Sequence, residues 1–174
     1  KKFTDSDLLK LNVFHMEIDD RIYRATDSAS GLNIYKNAEK YRNTGVELSY
    51  EKALSQKFSY NLGISYANPQ QKTIGSGEWE RTDFKLGLNA GVGYKLAKTS
   101  ANIFANYMAG RVNGTKPMLD INMNIAHKLT DQDTLRLTVY NLLNRDDIRT
   151  GSSNGTSGAL LEERNWMLTY ERTF

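Results

Sequence analysis

The stretch Phe84–Leu96 reads FKLGLNAGVGYKL, and its alternation decides the fold. Even positions carry Phe84, Leu86, Leu88, Ala90, Val92, Tyr94 and Leu96. Between them lie Lys85, Gly87, Asn89, Gly91, Gly93 and Lys95. Successive side chains of a strand point to opposite faces, so this segment is a ribbon with one apolar and one polar face. A helix needs apolar residues three and four apart, and the window lacks that pattern.

The same period extends outward from this stretch. Phe58, Tyr60, Leu62, Ile64 and Tyr66 alternate with Ser59, Asn61, Gly63 and Ser65. Leu119, Ile121, Met123 and Ile125 alternate with Asp120, Asn122 and Asn124; Leu135, Leu137 and Val139 with Arg136 and Thr138. Trp166, Leu168 and Tyr170 close the series. The pattern predicts eight strands, at 7–25, 32–53, 57–68, 82–97, 99–109, 117–129, 133–144 and 160–174. In the first, the apolar phase passes from Leu9, Leu11 and Val13 to Phe14, Met16 and Ile18, which predicts a bulge near Val13–Phe14.

Composition taken alone points elsewhere. The 174 residues are 39% hydrophobic and 25% charged, with a formal net charge of +3. Mean hydropathy is −0.59, and no run approaches the ~18 apolar residues of a membrane helix. There is no cysteine, which excludes disulfide frameworks and thiol chemistry. These averages describe a soluble globular domain, but averaging cancels any feature with a period of two.

Alternating strands fit a sandwich with apolar faces inward or a membrane barrel with apolar faces outward. Three observations favour the barrel. Alternation over 13 positions in Phe84–Leu96 and nine in Phe58–Tyr66 exceeds the usual soluble strand of about 5–6 residues. Short links at Leu54–Gln56, Ala97–Lys98 and Thr130–Gln132 alternate with longer ones at 69–81, 110–116 and 145–159. Barrels with tight turns at one end and long loops at the other show this alternation. Tyr50, Tyr66, Tyr94 and Tyr107 sit at strand ends, as in interfacial aromatic girdles. The strand count puts both termini at the short-turn end. The opening segment carries no apolar leader and the chain stops on Phe174, so a processed chain or a piece of a longer one is expected.

NAEKYRNTGVELSYEKAL (Asn37–Leu54) followed by FSYNLGISYANP (Phe58–Pro69) resembles the barrel of TonB-dependent outer-membrane receptors. MLDINMNIAHKLTDQDTLRLTVYNLLNRDD (Met118–Asp147) resembles that family's penultimate hairpin, with its Asn-Leu pair at Asn141–Leu142. WMLTYERTF resembles its terminal strand, although Arg172 stands where an apolar residue is usual. The resemblance implies an all-β, antiparallel transmembrane β-barrel, of which this chain supplies about eight C-terminal strands out of roughly 22. Residues 1–174 are then the C-terminal part of the barrel, without the plug domain. The resemblance further implies outer-membrane uptake of a scarce nutrient such as a ferric siderophore, a cobalamin or a glycan. Its implied partners are lipid, the plug and upstream strands, TonB acting through the plug, and the barrel-assembly machinery. That machinery would read Phe174, Tyr170, Leu168 and Trp166.

Candidate binding groups come from the loops, above all Trp79 between Glu78 and Glu80. Asp83, Lys85, Asp120, Asn122, Asn124 and Arg136 are expected to line the interior. His15 and His127 lie in different strands with no cysteine partner, so no metal site is expected. Asp19–Asp20 and Asp146–Asp147 read as solvated charge, and no catalytic pair is expected. The runs at Asn113–Thr115 and Asn154–Thr156 read as turn chemistry. No phosphate loop, HExxH or nucleophile elbow occurs, the basic excess is unclustered, and neither a cofactor nor nucleic acid is expected. A self-contained eight-stranded outer-membrane barrel with a structural or adhesion role is one alternative. A soluble sandwich or lipocalin-like binding module is another.

Overall fold

The computed structural model describes residues 1, 7–72, 77–112, 114–148 and 160–174. Ten strands form one antiparallel sheet: β1 (Asp7–Thr26), β2 (Asn33–Ala53), β3 (Phe58–Ala67), β4 (Gln70–Lys72), β5 (Glu80–Arg81), β6 (Leu86–Leu96), β7 (Thr99–Ala109), β8 (Met118–Lys128), β9 (Asp133–Tyr140) and β10 (Asn165–Arg172). Apart from β4 and β5, neighbours in sequence are neighbours in space, from β1 across to β10. Among the described residues β1 and β10 do not pair with each other, so the sheet is an open wall.

Register carries the two-faced pattern across the whole wall. One rung runs Leu11, Leu48, Ile64, Leu88, Tyr107 and Leu119. Another runs Tyr60, Val92, Ile103, Met123, Val139 and Trp166. Because cross-strand partners share a face, each apolar series falls on one side of the sheet. Most of these side chains are exposed, Val13, Leu62, Ile64, Val92 and Trp166 among them. A contiguous apolar face of this size needs a partner phase.

Aromatic residues mark its two margins. Phe58 pairs with Tyr94 at the short-turn end, and Tyr66 and Tyr107 lie near the other. Eight residues along β3 separate these levels, about 26 Å at ~3.3 Å per residue. At the ~40° tilt usual in barrels this is about 20 Å of height, close to the ~25 Å apolar band of an outer-membrane barrel.

The short turns are built by single hydroxyls. Ser55 Oγ accepts the Lys57 and Phe58 amides at 3.1 Å. Thr130 Oγ1 accepts the Gln132 and Asp133 amides at 3.2 and 3.0 Å. Asp7 pairs with Lys52 beside the first of these turns and Arg172 with Asp133 beside the second, which puts both ends of the sheet at this side.

The structure corrects several sequence expectations. β1 runs in register through Val13–Phe14, and its two irregularities lie between Ile18 and Arg21, where Asp20 takes a positive φ of 56°, and between Arg21 and Ile22. Phe14, Met16 and Ile18 therefore fall on the polar face, Phe14 with its ring over Gly45, rather than continuing the apolar series. β9 stops at Tyr140 because Asn141 turns left-handed, and β10 starts at Asn165 rather than at 160. The link at 69–81 contains β4 and β5, and β4 extends the sheet on Lys40–Arg42 of β2. Asn113 and 154–156 of the two Asn-Gly-Thr runs, and 73–76 of the Trp79 loop, lie outside the described residues.

The glycines of the polar face follow from close cross-strand contacts. Gly93, Gly91, Gly63 and Gly87 pair with Ser59, Asn61, Asn89 and Ser65 on four successive rungs of β3 and β6. A Cβ at any of them would meet the partner's side chain within 3 Å. The small residue lets the opposite Ser or Asn lie flat against the wall.

Candidate functional site

The polar face of β8, β9 and β10 is a connected hydrogen-bond network. Arg136 donates to Asn124 Oδ1 at 3.1 Å and to Glu171 Oε2 at 3.3 Å. Asn124 Nδ2 donates to Thr138 Oγ1 at 2.8 Å. One rung nearer the loops, Asn122 Nδ2 donates to Asp120 Oδ2 at 3.1 Å, while its Oδ1 accepts the Asn141 amide at 3.0 Å. Alternation puts these groups together, since each shares a face of the sheet with its cross-strand partner.

At the loop end the network becomes a knot. Asn141 is 4% exposed and, like Asn144, sits at positive φ, 47° and 51° respectively. Asn is one of the few residues that tolerate this backbone. Asn141 Nδ2 donates to the carbonyls of Arg145 and Glu162 at 2.7 and 2.8 Å, and its Oδ1 accepts the Arg145 amide at 2.9 Å. Asn144 Oδ1 accepts the Arg164 amide at 2.8 Å. The segment after β9 is thus tied to the approach to β10. Arg111 donates to the carbonyls of Ile148 and Lys116, and its own carbonyl accepts Arg81 at 2.9 Å. Met118, Leu161, Arg111 and Thr115 are buried around it. Of the larger buried side chains, most lie here at the loop end. Sequence reading recognised Asn141–Leu142 as a family feature but assigned it no role.

Asp147 closes the knot. Its carboxylate accepts Arg145 Nε at 2.7 Å, Arg145 Nη2 at 3.0 Å and the Leu119 amide at 2.9 Å. The hydrogen-bonded Arg145 guanidinium holds the Asp147 carboxyl below the usual carboxylate range and outweighs partial burial, which acts the other way. With its folded value depressed, the stabilisation is complete above the ordinary ~3.9. It is lost as pH falls through the lower folded value. A titration followed by nuclear magnetic resonance should find the Asp147 carboxyl and the Leu119 amide responding together below pH ~3.9. Arg145→Gln should move that transition upward; an unmoved transition would contradict the assignment.

The structure places the sequence-selected residues as follows. Asp120, Asn122, Asn124 and Arg136 share one face and one network. Asp83 and Lys85 precede β6 and stand at its loop end instead of within the strand. There the Phe84 amide bonds Asp83 Oδ1 at 2.8 Å, and the Lys85 amide bonds Ala109 and Gly110 carbonyls at 3.2 Å. Trp79 is half-buried beneath the Arg42 guanidinium, 4.1 Å from its ring centroid, and Arg42 Nε also donates to Gln70 at 2.8 Å. Glu80 lies in β5, paired with Gln71, and Glu78 is exposed beside Trp79. Trp166, Leu168 and Tyr170 line the apolar face of β10, and Phe174 follows it, fully exposed. His15 bonds Thr44 at 2.6 Å and approaches Glu17 at 3.3 Å; His127 bonds Thr99 at 2.8 Å. No group of three potential metal ligands occurs among the described residues.

A wall of long, meandering antiparallel strands, apolar on one face and hydrogen-bonded across the other, is the architecture of outer-membrane β-barrels. Within it, the chain belongs to the family described as TonB dependent receptor-like, beta-barrel, which it matches over residues 1–142. Comparison with curated protein sequences finds no match. Solved structures share the fold. The ferric-catecholate import receptor Fiu from E. coli K12 is 18% identical, with a TM-score of 0.69 over 99% of this chain and 26% of its own. The FrpB iron transporter from Neisseria meningitidis is 14% identical, with a TM-score of 0.79 over 98% and 30%. The ferric yersiniabactin uptake receptor FyuA from Yersinia pestis is 15% identical, with a TM-score of 0.72 over 98% and 28%. The chain therefore spans less than a third of the length of these receptors. Its place is the bacterial outer membrane.

Proposed function

We propose that this wall forms the C-terminal part of the barrel of a receptor that imports a scarce nutrient such as a ferric siderophore, driven by TonB through a plug domain. The single observation that carries the reading is the separation of faces by register. Every long strand turns its apolar series to one side, and the Asp120–Asn122–Asn124–Arg136 network lies on the other. In this reading the apolar side meets lipid and the network lines the lumen beside the plug. Asp83 and Lys85 face the lumen at its mouth. Trp79, with Glu78 and Glu80, belongs to a loop that captures ligand, its ring held in place by Arg42. The exposed series Trp166, Leu168, Tyr170 and Phe174 serves as the assembly signal. No covalent chemistry is required of any residue. Among the described residues the edges β1 and β10 do not meet, which argues against a self-contained eight-stranded barrel.

The test is accumulation of labelled ferric siderophore, cobalamin or oligosaccharide by cells expressing the natural-length protein, with and without functional TonB. One of these should accumulate only when TonB is present. Equal accumulation of all of them in both strains would refute the reading.

A further inference from the structure

A groove of about 510 Å³ opens on the polar face at the loop end of β7 to β10. Two aromatic rings stand in it, Phe104 and Tyr140, on the face of the sheet that carries the Asp120–Asn122–Asn124–Arg136 network. They keep 39% and 44% of their surface exposed. Asp120 and Glu162 contribute carboxylates, and Asn106 and Asn165 contribute amides. None of the described residues lining the groove is Lys, Arg or His. Two nearby guanidinium groups are already engaged, Arg145 by Asp147 and Arg136 by Asn124 and Glu171. The groove floor is held by the buried Asn141 and its three side-chain hydrogen bonds, so its shape is set before any ligand arrives.

This lining excludes and selects. A polyanionic ferric catecholate would meet two carboxylates and no lining cation. A cluster of amides and carboxylates offers acceptors and donors at several points, which suits hydroxyl groups that both donate and accept. Exposed aromatic faces suit the apolar C–H face of a ring, with polar groups placed around it to fix orientation. We infer that the groove is a subsite for a neutral, hydroxyl-rich ring, the chemistry of a pyranose unit in a glycan. The inference rests on the transport reading above and names the class of substrate that this side of the mouth accepts.

The experiment is titration calorimetry on the detergent-purified, natural-length protein. The ligands are maltohexaose, cellohexaose, xylohexaose and a ferric tris-catecholate. One of the oligosaccharides should bind. Tyr140→Ala and Asp120→Ala should each weaken it ~10-fold or more, whereas Tyr140→Phe, which keeps the ring, should stay within ~3-fold. Unchanged heat-dependent gel mobility of the variants shows that they remain folded. The inference is overturned if no oligosaccharide binds, if binding ignores Tyr140 and Asp120, or if the catecholate binds in a Tyr140-dependent way. Any of these results, alongside TonB-dependent uptake of another nutrient, would leave the transport reading standing and remove only this one.

Discussion

Asn141→Asp, which exchanges a single NH2 for oxygen, is expected to break the loop-end layer of the wall. Asn141 Nδ2 lies 2.7 Å from the Arg145 carbonyl and 2.8 Å from the Glu162 carbonyl, in a site only 4% exposed. An aspartate would aim an oxygen at both acceptor carbonyls and carry its charge in a buried site. The guanidinium of Arg145, whose backbone amide and carbonyl bond Asn141, is already held by Asp147. Leaving a buried charge uncompensated costs about 3–5 kcal/mol. Asn141→Gly separates the contributions. It keeps the left-handed backbone at φ 47° and loses the side-chain bonds, with an expected loss of about 2 kcal/mol. The readout is the midpoint of thermal unfolding in detergent, followed by gel mobility. Asp should fall furthest, Gly should lie between, and equal midpoints for Asp and the native residue would refute the knot.

Gly45→Ala should be far more damaging than Gly91→Ala, although the nearer clash is at Gly91. A Cβ at Gly91 would lie 2.1 Å from Asn61 Oδ1, which is the end of a flexible side chain that can swing away from the wall. At Gly45 the neighbours are the Phe14 ring at 2.6 Å and the Tyr66 carbonyl oxygen at 2.7 Å. That oxygen belongs to the backbone of the adjacent strand, where Val46 pairs with Tyr66. Relief requires the β2–β3 ladder to shift, and overpacking of this kind costs about 1–3 kcal/mol. Gly91→Ala should cost less than about 1 kcal/mol. Thermal midpoints in the same detergent would decide it, and the reverse order would contradict the cross-strand geometry.

The strands themselves were legible because the signal is local. Alternation in Phe84–Leu96 fixes its faces whatever the neighbours are, and β6 occupies 86–96 of that window. The face of Phe14 was not legible. Its apolar character suggested a bulge, while its actual place over Gly45 depends on a residue in another strand. β4 and β5 are three and two residues long, too short for any period to register. The polar-face network was readable as a set, since Asp120, Asn122 and Asn124 alternate with apolar residues. The role of Asn141 was hidden, because it depends on the carbonyl of Glu162, 21 residues further on.

The central claim is that the apolar side of the wall faces lipid and the polar side faces an aqueous lumen. The sequence contains no cysteine, so single cysteines can be introduced and spin-labelled one at a time along β6, from Leu86 to Leu96. Accessibility to oxygen, which partitions into lipid, and to a water-soluble nickel chelate should be measured for each in reconstituted bilayers. The account predicts a period of two. Labels at Leu88, Ala90 and Val92 should favour oxygen, and labels at Asn89, Gly91 and Gly93 should favour nickel. A reversed phase, or even positions shielded from both reagents as in a soluble sandwich, would contradict it.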